Sequence, residues 1–104
     1  MTSAIIIRVV AQRYGVTPRQ ILDPNRAARI SLFRAIAMYL ARTLVAGASY
    51  PELGRDFGGR HHTTIMAAIE KVNRLIETDA FVRSEVADLE NLVKREDEIV
   101  ARHL

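Results

Sequence analysis

Arg60, His61, His62, Thr63 and Thr64 follow one another directly behind the pair Gly58-Gly59. Each of the five carries an N–H or O–H donor on a side chain of short or medium length. A glycine pair favours a tight turn. Beyond it, Ile65, Ala68, Ile69, Val72 and Ile76 recur at helical spacing, which predicts a helix from about His61 to Glu77 with those residues on its buried side. The donors therefore gather at a helix N-terminus, where free backbone N–H groups and the positive end of the dipole favour phosphate. A helix that enters the major groove of duplex DNA also presents base-reading side chains from its first residues. The chemistry expected of this segment is recognition of double-stranded DNA.

The remaining sequence must supply elements that hold such a helix. Ile6, Val9, Val10, Arg13 and Tyr14 fall at helical spacing and Gly15 stops them. Ile5-Ile6-Ile7 would also suit a strand, but no partner strand is legible elsewhere. Thr17-Pro18-Arg19-Gln20 matches a capping box with proline in the first helical position, and Asp23-Pro24-Asn25 ends that short helix. From about Ala27 to Ala46, Ile30, Phe33, Ile36, Ala37, Leu40 and Leu44 mark a long helix with a wide apolar face, closed by Gly47. Ser49-Tyr50-Pro51-Glu52 is a second capping-box pattern and opens a helix through Phe57. A last helix from about Asp79 carries Val82, Val86, Leu89, Val93 and Val100 on one stripe, with Leu92 and Ile99 beside it. The expected architecture is all-α: one domain over residues 1–104, a helical bundle with a helix-turn-helix, a long central helix and a C-terminal helix.

Charge agrees with a polyanionic partner. The net charge is +3 and the pI about 9.8, but residues 1–76 hold eleven of the fifteen Lys and Arg and only four of the twelve Asp and Glu. A basic body with an acidic last helix places the polyanion-facing surface on the body. Cysteine is absent, which excludes disulfides and thiol chemistry. The one other histidine is His103, too few ligands for zinc, so neither metal nor cofactor is expected. No nucleophile–base–orienter set is legible, so no enzymatic activity is expected. The apolar runs are too short to span a bilayer, and the N-terminus lacks the regions of a secretory signal. A cytoplasmic, nucleoid-associated protein is the expectation.

The run Pro51-Glu52-Leu53-Gly54-Arg55-Asp56-Phe57-Gly58-Gly59-Arg60-His61-His62-Thr63-Thr64-Ile65 resembles the signature of the C-terminal DNA-binding domain (domain IV) of the DnaA replication initiators, close to PE(I/L)G-x-x-FGGRDHTTV. Ile36-Ala37-Met38-Tyr39-Leu40-Ala41-Arg42 is similar to that family's IAMYLAR-like helix, and the resemblance covers roughly residues 5–95. It implies the TrpR-like helix-turn-helix bundle of that domain. Carried over by position, it implies DNA contact by Arg60, His62, Thr63 and Thr64, and by Arg42 at the end of the long helix. An arginine there suits a bidentate contact with guanine or a phosphate, and a threonine methyl suits the thymine methyl.

Three departures stand out. The family has Asp where His61 stands. A carboxylate accepts from a cytosine amino group, whereas neutral imidazole accepts through one nitrogen only, so His61 is expected to touch DNA with a changed base preference. The family's arginine just before Pro-Arg-Gln falls on Leu32, with Phe33 in place of the proline and Arg34 retained; Arg26 and Arg29 lie nearby as candidate phosphate contacts beside Arg34. The Gly47-Ala48 loop carries one extra residue. No GxxxxGK[ST] phosphate loop occurs, whereas initiators of this family carry one ahead of this domain. The expected function is sequence-specific binding of double-stranded DNA at a site related to the initiator's box, in regulation of transcription or replication initiation. The alternative is a protein-interaction module, or a competitor or modulator of the initiator, that has lost strict site recognition; the stripe of the last helix would then dock a partner or a second copy, although its first half is expected to pack on the chain's own core.

Overall fold

A computed structural model describes residues 1–24 and 27–103. Among them six helices follow one another, α1 Ser3–Tyr14, α2 Pro18–Leu22, α3 Ala28–Leu44, α4 Tyr50–Asp56, α5 His62–Thr78 and α6 Ala80–Arg102, with no strand. Their ends are set by local chemistry. The Thr2 hydroxyl accepts from the Ile5 N–H at 3.3 Å to start α1, and Gly15 and Val16 return their N–H groups to the last carbonyls of that helix. Thr17 and Gln20 form the expected reciprocal box, at 3.1 and 2.8 Å. At Ser49 only half of the box forms. Its hydroxyl accepts from the Glu52 N–H at 3.2 Å, but the Glu52 carboxylate takes the Ser49 O–H at 3.1 Å instead of reaching the backbone N–H.

The centre of the fold is α3, which packs on all five other helices. Every residue from Phe33 to Met38 is buried, so α3 is covered nearly all round rather than along one stripe. Ala35, Ala37 and Ala41 let its neighbours come close, while Ile36, Met38 and Leu40 fill the space between them. α6 closes one side: Val82, Val86, Leu89 and Val93 lie in the common core, where α6 meets α1 and α5. The first half of the expected stripe is thus covered by the chain's own helices, and that part offers no docking surface. Val100 is only half-buried and Ile99 is exposed, because α6 runs on past the apolar core.

Polar ties fasten α1 to α6, and two of them converge on Glu85. The Arg13 guanidinium donates to Glu85 at 2.9 Å, and the Tyr14 hydroxyl donates to the other Glu85 oxygen at 3.0 Å. The Tyr14 ring stacks on Phe33 of α3 with centroids 3.8 Å apart. The hydrogen bond from Arg13 holds the Glu85 carboxyl below the usual carboxylate range, and burial pushes the Tyr14 phenol up.

Candidate nucleic-acid interface

The turn that aims α5 is built from three contacts. Phe57 is fully buried and its N–H closes α4 on the Leu53 carbonyl at 2.9 Å. Gly58 follows at φ +80°, a conformation that side chains disfavour, and a Cβ there would lie 2.7 Å from the Leu22 carbonyl oxygen. Gly54 faces the returning chain: the Arg60 N–H donates to the Gly54 carbonyl at 2.8 Å, and a Cβ on Gly54 would sit 2.1 Å from the Arg60 oxygen. Gly54 is therefore required by close backbone approach, a role the sequence alone did not reveal.

α5 starts at His62, and its N-cap is His61. The His61 Nδ1 lies 3.3 Å from the Thr63 N–H, which donates to it, and 2.8 Å from the Thr63 hydroxyl oxygen. The His61 and His62 rings lie together with centroids 4.2 Å apart. His61, His62, Thr63 and Thr64 are all exposed, so the expected cluster forms at the tip of the second helix with its side chains at the surface. The buried side of α5 carries Ile65, Ile69 and Val72, with Ala68 and Ile76 at its margins.

The arginines divide into two groups. Arg34 is buried and donates to the Ile21 and Asp23 carbonyls at 2.6 and 2.7 Å. Arg60 is half-buried; its Nη1 donates to the Leu22 carbonyl at 2.8 Å and to the Phe57 carbonyl, and its Nη2 to the Asp23 carbonyl at 3.1 Å. Together they gather the last carbonyls of α2, which have no partner within that helix, and tie α2, α3 and the turn into one unit. Burial pulls both guanidiniums below the usual arginine range, and the charge of Arg60 adds to that at Arg34. This differs from the expected outward role of these two residues. The carbonyls they meet are brought there by the fold, and they compete with any outside ligand for the same donors.

Arg42 donates to the Ala48 carbonyl and lies over the Tyr50 ring at 4.2 Å, fastening the end of α3 to the start of α4. Arg29 is exposed, with its guanidinium 5.8 Å from the Phe33 centroid. Leu32, which stands where the resemblance expects arginine, is partly buried against the core. Arg26 lies outside the described residues.

Two cations were missed. Thr64, Ala68 and Lys71 recur at i, i+4 and i+7 on the flank of α5 that faces Ser31, Arg34, Ala35 and Met38 of α3, around a groove of about 200 Å³. Lys71 and Arg74 are exposed, and among the described residues neither has an ion pair. Helical spacing from Thr64 would have put Lys71 on that flank.

A short helix, a glycine turn and a second helix with an exposed donor-bearing tip define a helix-turn-helix domain. The model of the family described as bacterial dnaA protein helix-turn-helix matches residues 3–72, and the chain belongs to that family. It is 44% identical over 87 residues to the chromosomal replication initiator protein DnaA of Xanthobacter autotrophicus, covering 84% of this chain and 17% of the relative. With the same-named protein of Nitrobacter hamburgensis it shares 43% identity over 91 residues, covering 88% of this chain and 18% of the relative. A crystal structure of a DNA replication initiation factor superposes with a TM-score of 0.76 at 36% identity, over 88% of this chain and 27% of that one. The chain thus spans about one sixth of the length of the curated relatives it matches. No helix among the described residues is long and apolar enough to cross a membrane.

Proposed function

We propose that this domain binds double-stranded DNA in a sequence-specific manner, with the tip of α5 in the major groove, at a site related to the box read by the replication initiators, and that it regulates transcription or replication initiation. The observation that carries this reading is the exposure of His61, His62, Thr63 and Thr64 at a helix start fixed by Phe57, Gly54 and the Arg60 clasp. Arg29, Lys71 and Arg74 support it as exposed cations without carboxylate partners among the described residues, each free to meet a backbone phosphate. Arg34 and Arg60 serve by holding the turn, and Arg42 by holding the α3–α4 corner. The relatives' role in chromosomal replication initiation, given by their names, favours an initiator-type site over an unrelated one.

Selection of bound duplexes from a random pool tests the reading. A recovered consensus, with affinity that falls linearly in log salt at a slope near −0.9 per phosphate contact, is the expected outcome. Absence of salt-sensitive duplex binding would overturn it.

A further inference from the structure

His61 is not merely a different letter at the start of the recognition helix; its ring is wired into the helix cap. Nδ1 receives the backbone N–H of Thr63 at 3.3 Å, and the Thr63 hydroxyl stands 2.8 Å from the same nitrogen. A backbone N–H can only donate, so Nδ1 must hold its lone pair toward the helix. In a neutral imidazole the single ring proton then resides on Nε2. The one nitrogen able to accept is already engaged, and contact with His62 restricts the ring further. What the exposed edge offers outward is a donor.

We propose that His61 presents a fixed Nε2–H donor to the DNA and sets specificity at the base it faces. This inference rests on the DNA-binding reading above. In the major groove a donor is matched by guanine O6 and N7, thymine O4 or adenine N7, whereas the cytosine edge offers an amino donor and repels it. A carboxylate at the same cap inverts this preference, since it accepts and cannot donate. Position 61 therefore selects an acceptor-bearing base and excludes cytosine, the base an aspartate there would favour.

The test uses two substitutions that both cap a helix well. In His61→Asp the side chain caps and shows only acceptors outward. In His61→Asn the amide oxygen caps and the NH2 group points outward as a donor. Sites are selected from random duplexes with the full chain and both variants, and ¹⁵N NMR of the free protein reports which ring nitrogen of His61 is protonated. The expected result is one position where the wild type and His61→Asn disfavour cytosine by about tenfold and His61→Asp prefers it by a similar factor. NMR should show protonated Nε2 and unprotonated Nδ1. Duplex binding with the same base preference in all three proteins, or a proton on Nδ1, overturns this inference and leaves the DNA-binding reading standing. Loss of salt-sensitive duplex binding by all three, wild type included, overturns the reading beneath it as well.

Discussion

The cations of α1 and the cations of the helix-turn-helix meet different partners. Both cations of α1 and the terminal amine meet carboxylates of α6: Arg8 meets Glu96 at 2.7 Å, Arg13 meets Glu85 and Asp88 at 2.9 and 3.5 Å, and the amine meets Asp97 at 3.0 Å. On α5, Lys71 and Arg74 have no such partner among the described residues, while Arg42 and Arg60 donate to backbone carbonyls. The acidic last helix is therefore less a repelling tail than an internal counter-charge. It neutralises α1 and leaves the basic surplus of the chain between α1 and the helix-turn-helix. One side uses charge to hold the chain together, and the other leaves it for an outside anion.

That contrast breaks most readily at the turn. Gly54→Ala forces a Cβ onto the Arg60 carbonyl, so we expect a loss of about 3 kcal/mol in chemical denaturation. Affinity should fall alike for selected and random duplexes, because the tip as a whole is displaced. An unchanged denaturation midpoint would refute the close approach.

Glu85→Gln acts on the other side. It replaces a charge-assisted tie by a neutral one, and a loss of about 1.5–3 kcal/mol at neutral pH is expected with base preference unchanged. The Glu85 carboxyl is depressed in the folded state, so its contribution is present above the ordinary glutamate value and fades as pH falls through the folded one. The variant's deficit should shrink below about pH 4. A deficit constant from pH 7 to pH 3 would contradict the tie.

Arg60→Ala separates clasp from reader. Removal of its donors leaves the Leu22 and Phe57 carbonyls without this side-chain partner, which costs about 1–3 kcal/mol of stability. Duplex affinity should fall equally on specific and random DNA, measured by anisotropy. A loss confined to the preferred site would restore a base-reading role to Arg60.

The smallest effect is expected at Lys71→Ala. Folding should be unaffected, and the salt slope of binding should flatten by roughly one phosphate contact. An unaltered slope would remove Lys71 from the interface.

What was legible in the sequence follows from the range of the interactions. The helices and their breaks depend on neighbours a few residues apart, so Thr17, Pro18, Gln20, Gly15 and the Gly58-Gly59 turn marked them within two residues or so. The all-α helix-turn-helix fold was legible for the same reason, and the apolar face of α5 matched in its centre. The fates of Arg34 and Arg60 were not legible. The carbonyls they hold lie 11 to 38 residues away along the chain for all but the Phe57 contact, and no local pattern encodes that meeting. The stripe of α6 could be read as apolar, but whether its own chain or a partner covers it depends on where α1 and α5 lie. At His61 the sequence showed the altered residue, and only the cap geometry shows which nitrogen faces outward.

Titration of the labelled protein with its selected duplex, followed by amide and histidine NMR shifts, tests the division between the two sides most directly. The account predicts perturbations concentrated at His61, His62, Thr63 and Thr64, extending to Lys71 and Arg74, with α1 and the outer face of α6 unmoved. Perturbations centred on the ion-paired α1–α6 side, with the tip of α5 silent, would contradict it.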